Sequence, residues 1–146
     1  MPDRRSFILA TGATAFVAAC GGPQGPTPVT VAATAGPEAN GGLPVQVTVL
    51  RLKDAGAFNS ADYFALQGDP AGILGPALIG MDQMTLAAGA PASKTIAFEP
   101  EATQIGVLVG LRDPEKAWRA AAPVPAGKPV TATVDVGAAG LALAMS

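Results

Sequence analysis

The sequence contains no histidine and a single cysteine, Cys20. Without histidine no Ser-His-Asp or Cys-His pair can be assembled, and one cysteine cannot close an internal disulfide. Charged residues make up only 14% of the 146 positions and the net charge is -2, so there is no basic footprint for nucleic acid. Phosphate-cradling spacings of the Gly-x-x-x-x-Gly-Lys-Ser type are absent. A metal site would have to be built from carboxylates and carbonyls alone, and the acids are scattered, so none is expected. Asp62 and Asp69 read as cap and turn residues, and Glu99, Glu101 and Asp82 as solvated turn positions. What is plentiful is apolar residues, at 49%, together with 18 glycines and 14 prolines. That balance excludes a disordered chain and a helical bundle alike. The length fits one domain with a tail.

The tail has its own grammar. Arg4 and Arg5 precede Phe7 to Ala19, an uncharged, mostly apolar run that spans about 20 Å as a helix at ~1.5 Å per residue. This is too short to cross a bilayer comfortably and suits a signal-peptide core. Val17-Ala18-Ala19-Cys20 then matches the lipobox of bacterial lipoprotein precursors. Residues 1–19 are therefore expected to be cleaved between Ala19 and Cys20, leaving diacylglycerol on the Cys20 thiol and an acyl chain on its new amino terminus. Asp3-Arg4-Arg5-Ser6-Phe7-Ile8 is compatible with a twin-arginine signal and equally with an ordinary charged signal start. After cleavage the chain keeps seven basic and ten acidic residues, a formal charge of -3. Residues 20–28, Cys20 followed by Gly-Gly-Pro-Gln-Gly-Pro-Thr-Pro, have no apolar periodicity and read as a tether, with the folded domain expected over 29–146.

From Val29 onward the apolar period is two. Val45, Val47 and Val49 alternate with Gln46 and Thr48; Ile96 and Phe98 with Thr95 and Ala97; Ile105, Val107, Val109 and Leu111 with Gly106, Leu108 and Gly110; Val130, Ala132, Val134 and Val136 with Thr131, Thr133 and Asp135. Leu141, Leu143 and Met145 close the chain. Short half-buried strands separated by Gly and Pro turns predict an all-β, two-sheet β-sandwich. Leu50 and Leu52 fall on the opposite parity from Val45 to Val49, which calls for a bulge or for burial on both faces. One interruption is helical. Asn59 or Ser60 is expected to cap a helix through Gln67 with Gly68 as its stop, placing Asp62 in the first turn. A second short turn is expected at Asp113, with Pro114 at its first helical position.

Several of these segments together resemble a known family. They are Leu43-Pro-Val-Gln-Val-Thr-Val-Leu-Arg-Leu-Lys-Asp54, Ala57-Phe58-Asn59, Ala61-Asp62-Tyr63-Phe64, Ile105-Gly106-Val107, Leu111-Arg112-Asp113 and Trp118-Arg119, in that order behind a lipobox. The ordered set is similar to the outer-membrane lipoprotein of type VI secretion systems, the TssJ (VasD, SciN) family, from Cys20 to about Leu143. Leu50 stands where the family often has Tyr, and Gly110-Leu111 replace an Ala followed by an aromatic residue. The resemblance implies a transthyretin-like sandwich with a short helical insertion, lipid-anchored at the outer membrane and facing the periplasm. Gly21 agrees, since it is not the aspartate that retains lipoproteins at the inner membrane in enteric bacteria. It also implies binding to the periplasmic C-terminal domain of the inner-membrane protein TssM, without catalysis. No cofactor is implied beyond the lipid on Cys20, no small-molecule substrate and no nucleic acid.

By the same resemblance the loop joining the first two strands would hold the partner: Ala35, Gly36, Pro37, Glu38, Ala39, Asn40, Gly41 and Gly42. The Phe58 to Leu66 helix is a second candidate, although Phe58, Phe64 and Leu66 read better as core plugs. Trp118 and Arg119 are the types that form interface hot spots, but the alternative is a Trp118 that covers one end of the sandwich and an Arg119 paired with an acid. Two other classes stay open. A periplasm-facing ligand-binding lipoprotein would need aromatics on an open face, and a carboxylate-based envelope hydrolase would need two acids in a cleft.

Overall fold

The computed structural model describes residues 25–113 and 115–146. Cys20, Ala19, the signal segment and most of the expected tether lie outside the described residues, as does Pro114. The chain forms β1 (Thr27–Ala35), β2 (Val45–Leu52), three short helices α1 (Gly56–Ser60), α2 (Tyr63–Gly68) and α3 (Pro70–Leu74), then β3 (Leu78–Leu86), β4 (Pro91–Phe98), β5 (Gln104–Gly110), β6 (Arg119–Pro123), β7 (Val130–Gly137) and β8 (Gly140–Met145). One sheet has the order β4-β1-β7-β8 and the other β3-β2-β5-β6. All pairs are antiparallel except β1 with β7, which run parallel.

The sandwich follows from the period of two. Val29, Val31, Ala33 and Ala35 of β1, Val45, Val47 and Val49 of β2, Ile105, Val107 and Val109 of β5 and Val130 to Val136 of β7 meet in one buried cluster between the sheets. Strand β1 begins at Thr27, so the last two residues of the expected tether are already sheet. Thr27 is buried, and its hydroxyl accepts the Gly127 N–H at 3.0 Å.

The parity switch in β2 resolves as burial on both faces. Leu50 and Leu52 point away from the inter-sheet core, with Leu108 of β5, into a second cluster closed by Phe58, Leu66 and Leu74 from the helices. Each of these side chains contributes about 1.5–3 kcal/mol by leaving water. A register shift in the β2/β3 pairing does occur, but at Arg51/Leu52 rather than at Leu50. The caps differ from the sequence expectation. Asn59 and Ser60 lie inside α1, and Asp62 is the N-cap of α2, its carboxylate accepting the Ala65 N–H at 3.1 Å. The chain bends between them because Ala61 is extended. Asp69 likewise caps α3 through the Gly72 N–H, with Pro70 at the first helical position. The helix therefore ends at Gly68 as expected, but a further helix follows.

Strand direction sorts the connections into two ends. The chain enters at a near pole, where Val124 N–H bonds the Thr103 carbonyl and Thr103 Oγ1 bonds the Lys53 carbonyl. The last residue, Ser146, pairs there with Thr131. The far pole, at the other end of β1, gathers the β1–β2, β3–β4, β5–β6 and β7–β8 connections. The nine residues of β1 separate the poles by about 30 Å at ~3.3 Å per residue.

Candidate protein-docking site

The far pole is built from loops held by side chains. Within the expected partner loop, Ala35 and Ala39 are fully buried in the main core, and Gly36 N–H bonds the Val136 carbonyl at 2.8 Å. The residues the loop presents to solvent are Pro37, Glu38, Gly41 and Gly42. Asn40 takes a positive φ of 52°, the single non-glycine among the described residues to do so. Asparagine tolerates this conformation because its short amide bonds locally. Here Oδ1 accepts the Arg112 N–H at 2.7 Å and Nδ2 donates to the Pro44 carbonyl at 3.2 Å. One side chain thus ties the β1–β2 loop to the β5–β6 loop. Between them opens a cleft of about 340 Å³, walled by Asn40, Gly41, Arg112, Asp113, Lys116 and Gly137.

The helices reach this pole as well. Tyr63 donates its hydroxyl proton to the Leu111 carbonyl at 2.8 Å and accepts the Leu111 N–H at 2.9 Å. Its ring stands edge-on to Trp118 at 5.0 Å and to Phe64 at 5.1 Å. Trp118 is half-buried and packs against both clusters, so it covers the sandwich end rather than standing open. Among the described residues no acid pairs with Arg119. Its Nη1 donates to the carbonyls of Phe58, at 2.8 Å, and Ala61, and its guanidinium lies 4.5 Å over the Trp118 ring. The cause is local: these carbonyls end α1 and have no partner within so short a helix. Phe58 and Leu66 are core plugs as expected, whereas Phe64 is 70% exposed.

The acids separate into structural roles. Asp62 and Asp69 are caps. Asp82 and Glu99 are not solvated turn residues. Both hold Arg51, at 2.6 and 3.0 Å, and Lys94 stands 3.5 Å from Asp82. Arg51 and Asp82 belong to one sheet, while Lys94 and Glu99 belong to or follow β4 of the other, so the four charges lace one open side of the sandwich. Among the described residues no three acidic or cysteine side chains converge as metal ligands. No helix among them is long and apolar enough to cross a membrane. The Asn40–Arg112 and Tyr63–Leu111 bonds had no sequence pattern to announce them, beyond an asparagine set before two glycines.

A small β-sandwich that gathers four of its connections at one pole, with helices over one sheet, is a scaffold able to present contacts through those loops. The model of the Type VI secretion lipoprotein family (VasD, EvfM, TssJ) matches residues 27–139, and the chain belongs to that family. The fold agrees. The type VI lipoprotein TssJ1 from Pseudomonas aeruginosa is 26% identical, with a TM-score of 0.77 over 83% of this chain and 97% of that one. Serratia marcescens Lip, a membrane-bound component of the type VI secretion system, is 25% identical, with a TM-score of 0.76 over 82% and 96%. A chain of a type VI membrane complex shares the fold at 24% identity, with a TM-score of 0.71 over 81% and 98%. No curated protein matches.

Proposed function

We propose that the protein is the outer-membrane anchor of a type VI secretion membrane complex. Lipid on Cys20 holds it to the inner leaflet with the sandwich facing the periplasm, and the far-pole loops bind the periplasmic C-terminal domain of TssM. The observation that carries this reading is the separation of the two ends. The segment from Cys20 enters β1 at Thr27, and the β1–β2 loop with its cleft lies one strand length away, about 30 Å. An anchored sandwich can therefore turn that pole away from lipid toward a periplasmic partner. Family membership supports the secretion role. A diacylglycerol plus an N-acyl chain makes anchoring durable, which a single chain does not. The scaffold's work is attachment and not catalysis: the paired acids Asp82 and Glu99 are engaged by Arg51. The ligand-capture alternative needs an open row of aromatics, and among the described residues Phe64 is the one aromatic in the open.

Two measurements test the proposal. The Cys20→Ser chain should lose membrane association, and its persistence in carbonate-washed membranes would refute the anchor. For the partner, calorimetric titration of the TssM periplasmic domain should show weaker binding to a Pro37→Ser/Glu38→Lys chain, which spares the buried Ala35 and Ala39. Unchanged affinity would move the interface away from this loop.

A further inference from the structure

Three arginines lie among the described residues, and two are spoken for. Arg51 is held by two carboxylates and Arg119 by two carbonyls. Arg112 is different. Its backbone N–H is fixed by Asn40, yet among the described residues no carboxylate lies within ion-pair distance of its guanidinium. The guanidinium rests over Gly41, where an added Cβ would meet Nη1 at 3.1 Å, so it lies along the wall of the far-pole cleft. Lys116 lines the same cleft, its ammonium donating to the Ala138 carbonyl at 2.6 Å. The one acid of the wall, Asp113, accepts the Glu115 N–H, and neither Glu38 nor Glu115 lines the cleft. The wall therefore carries two cations against one anion on a chain that is acidic overall.

Exposed apolar side chains sit on the segments bonded to this cleft. Leu43 is 47% and Phe64 is 70% exposed, two of the four large apolar residues that stand open. Both are placed by residues that bind Leu111 or Arg112. Leu43 N–H bonds the Asn40 carbonyl, while Phe64 follows Tyr63, whose hydroxyl clamps Leu111. An arginine in a cleft, with exposed apolar residues on the adjoining segments, has the composition of an interface centre. Its planar fork can donate two parallel hydrogen bonds to a carboxylate.

We propose that the cleft between the β1–β2 and β5–β6 loops seats an acidic, apolar-flanked segment of the TssM periplasmic domain, with a partner carboxylate on Arg112 and partner apolar side chains against Leu43 and Phe64. This rests on the partner named above and moves the centre of the contact from the loop itself to the cleft beside it. Asn40 is then a positioning residue, holding Arg112 in register with the loop.

The test uses the mature lipidated chain in detergent and the TssM periplasmic domain. Arg112→Glu keeps the backbone N–H that Asn40 needs, so its thermal transition should match the unaltered chain while its affinity falls by about tenfold or more. Raising NaCl from about 50 to about 500 mM should weaken the unaltered chain and leave Arg112→Ala much less sensitive. Phe64→Ser should weaken binding without changing the salt dependence. If Arg112→Glu binds as tightly as the unaltered chain while Pro37→Ser/Glu38→Lys does not, the cleft inference is overturned and the loop reading survives. If both bind normally, both fail. Tighter binding by Arg112→Glu would mean the facing segment is basic, which overturns the acidic assignment.

Discussion

Replacing Arg119 with alanine is expected to loosen the helical segment before it loosens the sandwich. The guanidinium does two jobs in the structure. It donates to the carbonyls of Phe58 and Ala61, at the C-terminal end of α1, and it lies 4.5 Å over the Trp118 ring. A hydrogen bond from a charged donor contributes about 1.5–3 kcal/mol when buried, and less here because Arg119 is half-exposed. The ring contact adds about 0.5–1 kcal/mol. The carbonyls left behind can turn to water, so the net loss is about 2–3 kcal/mol. For a domain of this size that corresponds to a fall in Tm of about 10 °C. Arg119→Lys keeps the charge but not the planar fork, and should recover less than half of the loss. Urea unfolding followed by circular dichroism reads the total, while amide hydrogen exchange reads where it falls. Protection should drop first over residues 56–74, whose amides are held by this latch. A change below about 0.5 kcal/mol for Arg119→Ala would refute the latch. So would full recovery by Arg119→Met, which restores the aliphatic stem without the donors.

Two further substitutions test the frame. Gly140 has a φ of 112°, and a Cβ there would collide with the Ala117 backbone, with which it forms an isolated bridge. Gly140→Ala should cost about 2–3 kcal/mol in chemical denaturation, and a neutral result would mean that the β7–β8 turn has another conformation. Asp82→Asn removes the acid shared by Arg51 and Lys94 and should cost about 1 kcal/mol at low salt, shrinking as NaCl rises. A loss that does not respond to salt would assign Asp82 a packing role instead.

The strands that could be read from sequence are those whose two faces differ. Val45, Val47 and Val49 stand in the inter-sheet core, and Leu50 and Leu52 stand under the helices, so a parity switch in the letters is a change of face in space. Strand β3 hides for the opposite reason. The register shift opposite Arg51/Leu52 breaks its alternation near Gly80, so Ile79 and Met84, of different parity, both pack on the main core. Asp82 then stands opposite Val49 at a core parity, which reads as a turn until Arg51 and Lys94 are seen to neutralise it. Strand β6 is expected from the turn at Asp113 that leads past Trp118 into it, but its faces cannot be read, because Arg119–Pro123 is three alanines between an arginine and a proline. The helix cap was misplaced because Asn59, Ser60 and Asp62 all qualify as caps, and only the extended Ala61 decides among them. Of the partner loop, sequence could mark the glycines but not the burial of Ala35 and Ala39, since alanine serves core and surface alike. The lipobox at Cys20 rests on the sequence alone.

The position of β1 matters for a protein proposed to hold an envelope complex to its membrane. A pull between the lipid at Cys20 and a partner on the far pole acts along β1, because the chain enters at Thr27 and leaves into the docking loop at Ala35. Strand β1 is not an edge. It pairs with β4 from Thr27 to Thr34 on one side and with β7 from Val29 to Ala35 on the other. Force on the β1–β2 loop itself runs through the covalent backbone of β1, and only the share that a partner takes up on the other far-pole loops crosses these backbone hydrogen bonds, loading them together in shear. That share is resisted along the length of both ladders. The loop at the loaded end is pinned too, by Gly36 to Val136 and by Asn40 to Arg112 and Pro44. Tension reaching that loop passes on to β2, which is central in the second sheet between β3 and β5. The two sheets thus share the load through their middle strands, and the helices, which bridge Phe58 to Arg119 and Tyr63 to Leu111, stand beside the line of force. Such a layout lets the helical segment present Phe64 without having to bear the tension on the anchor.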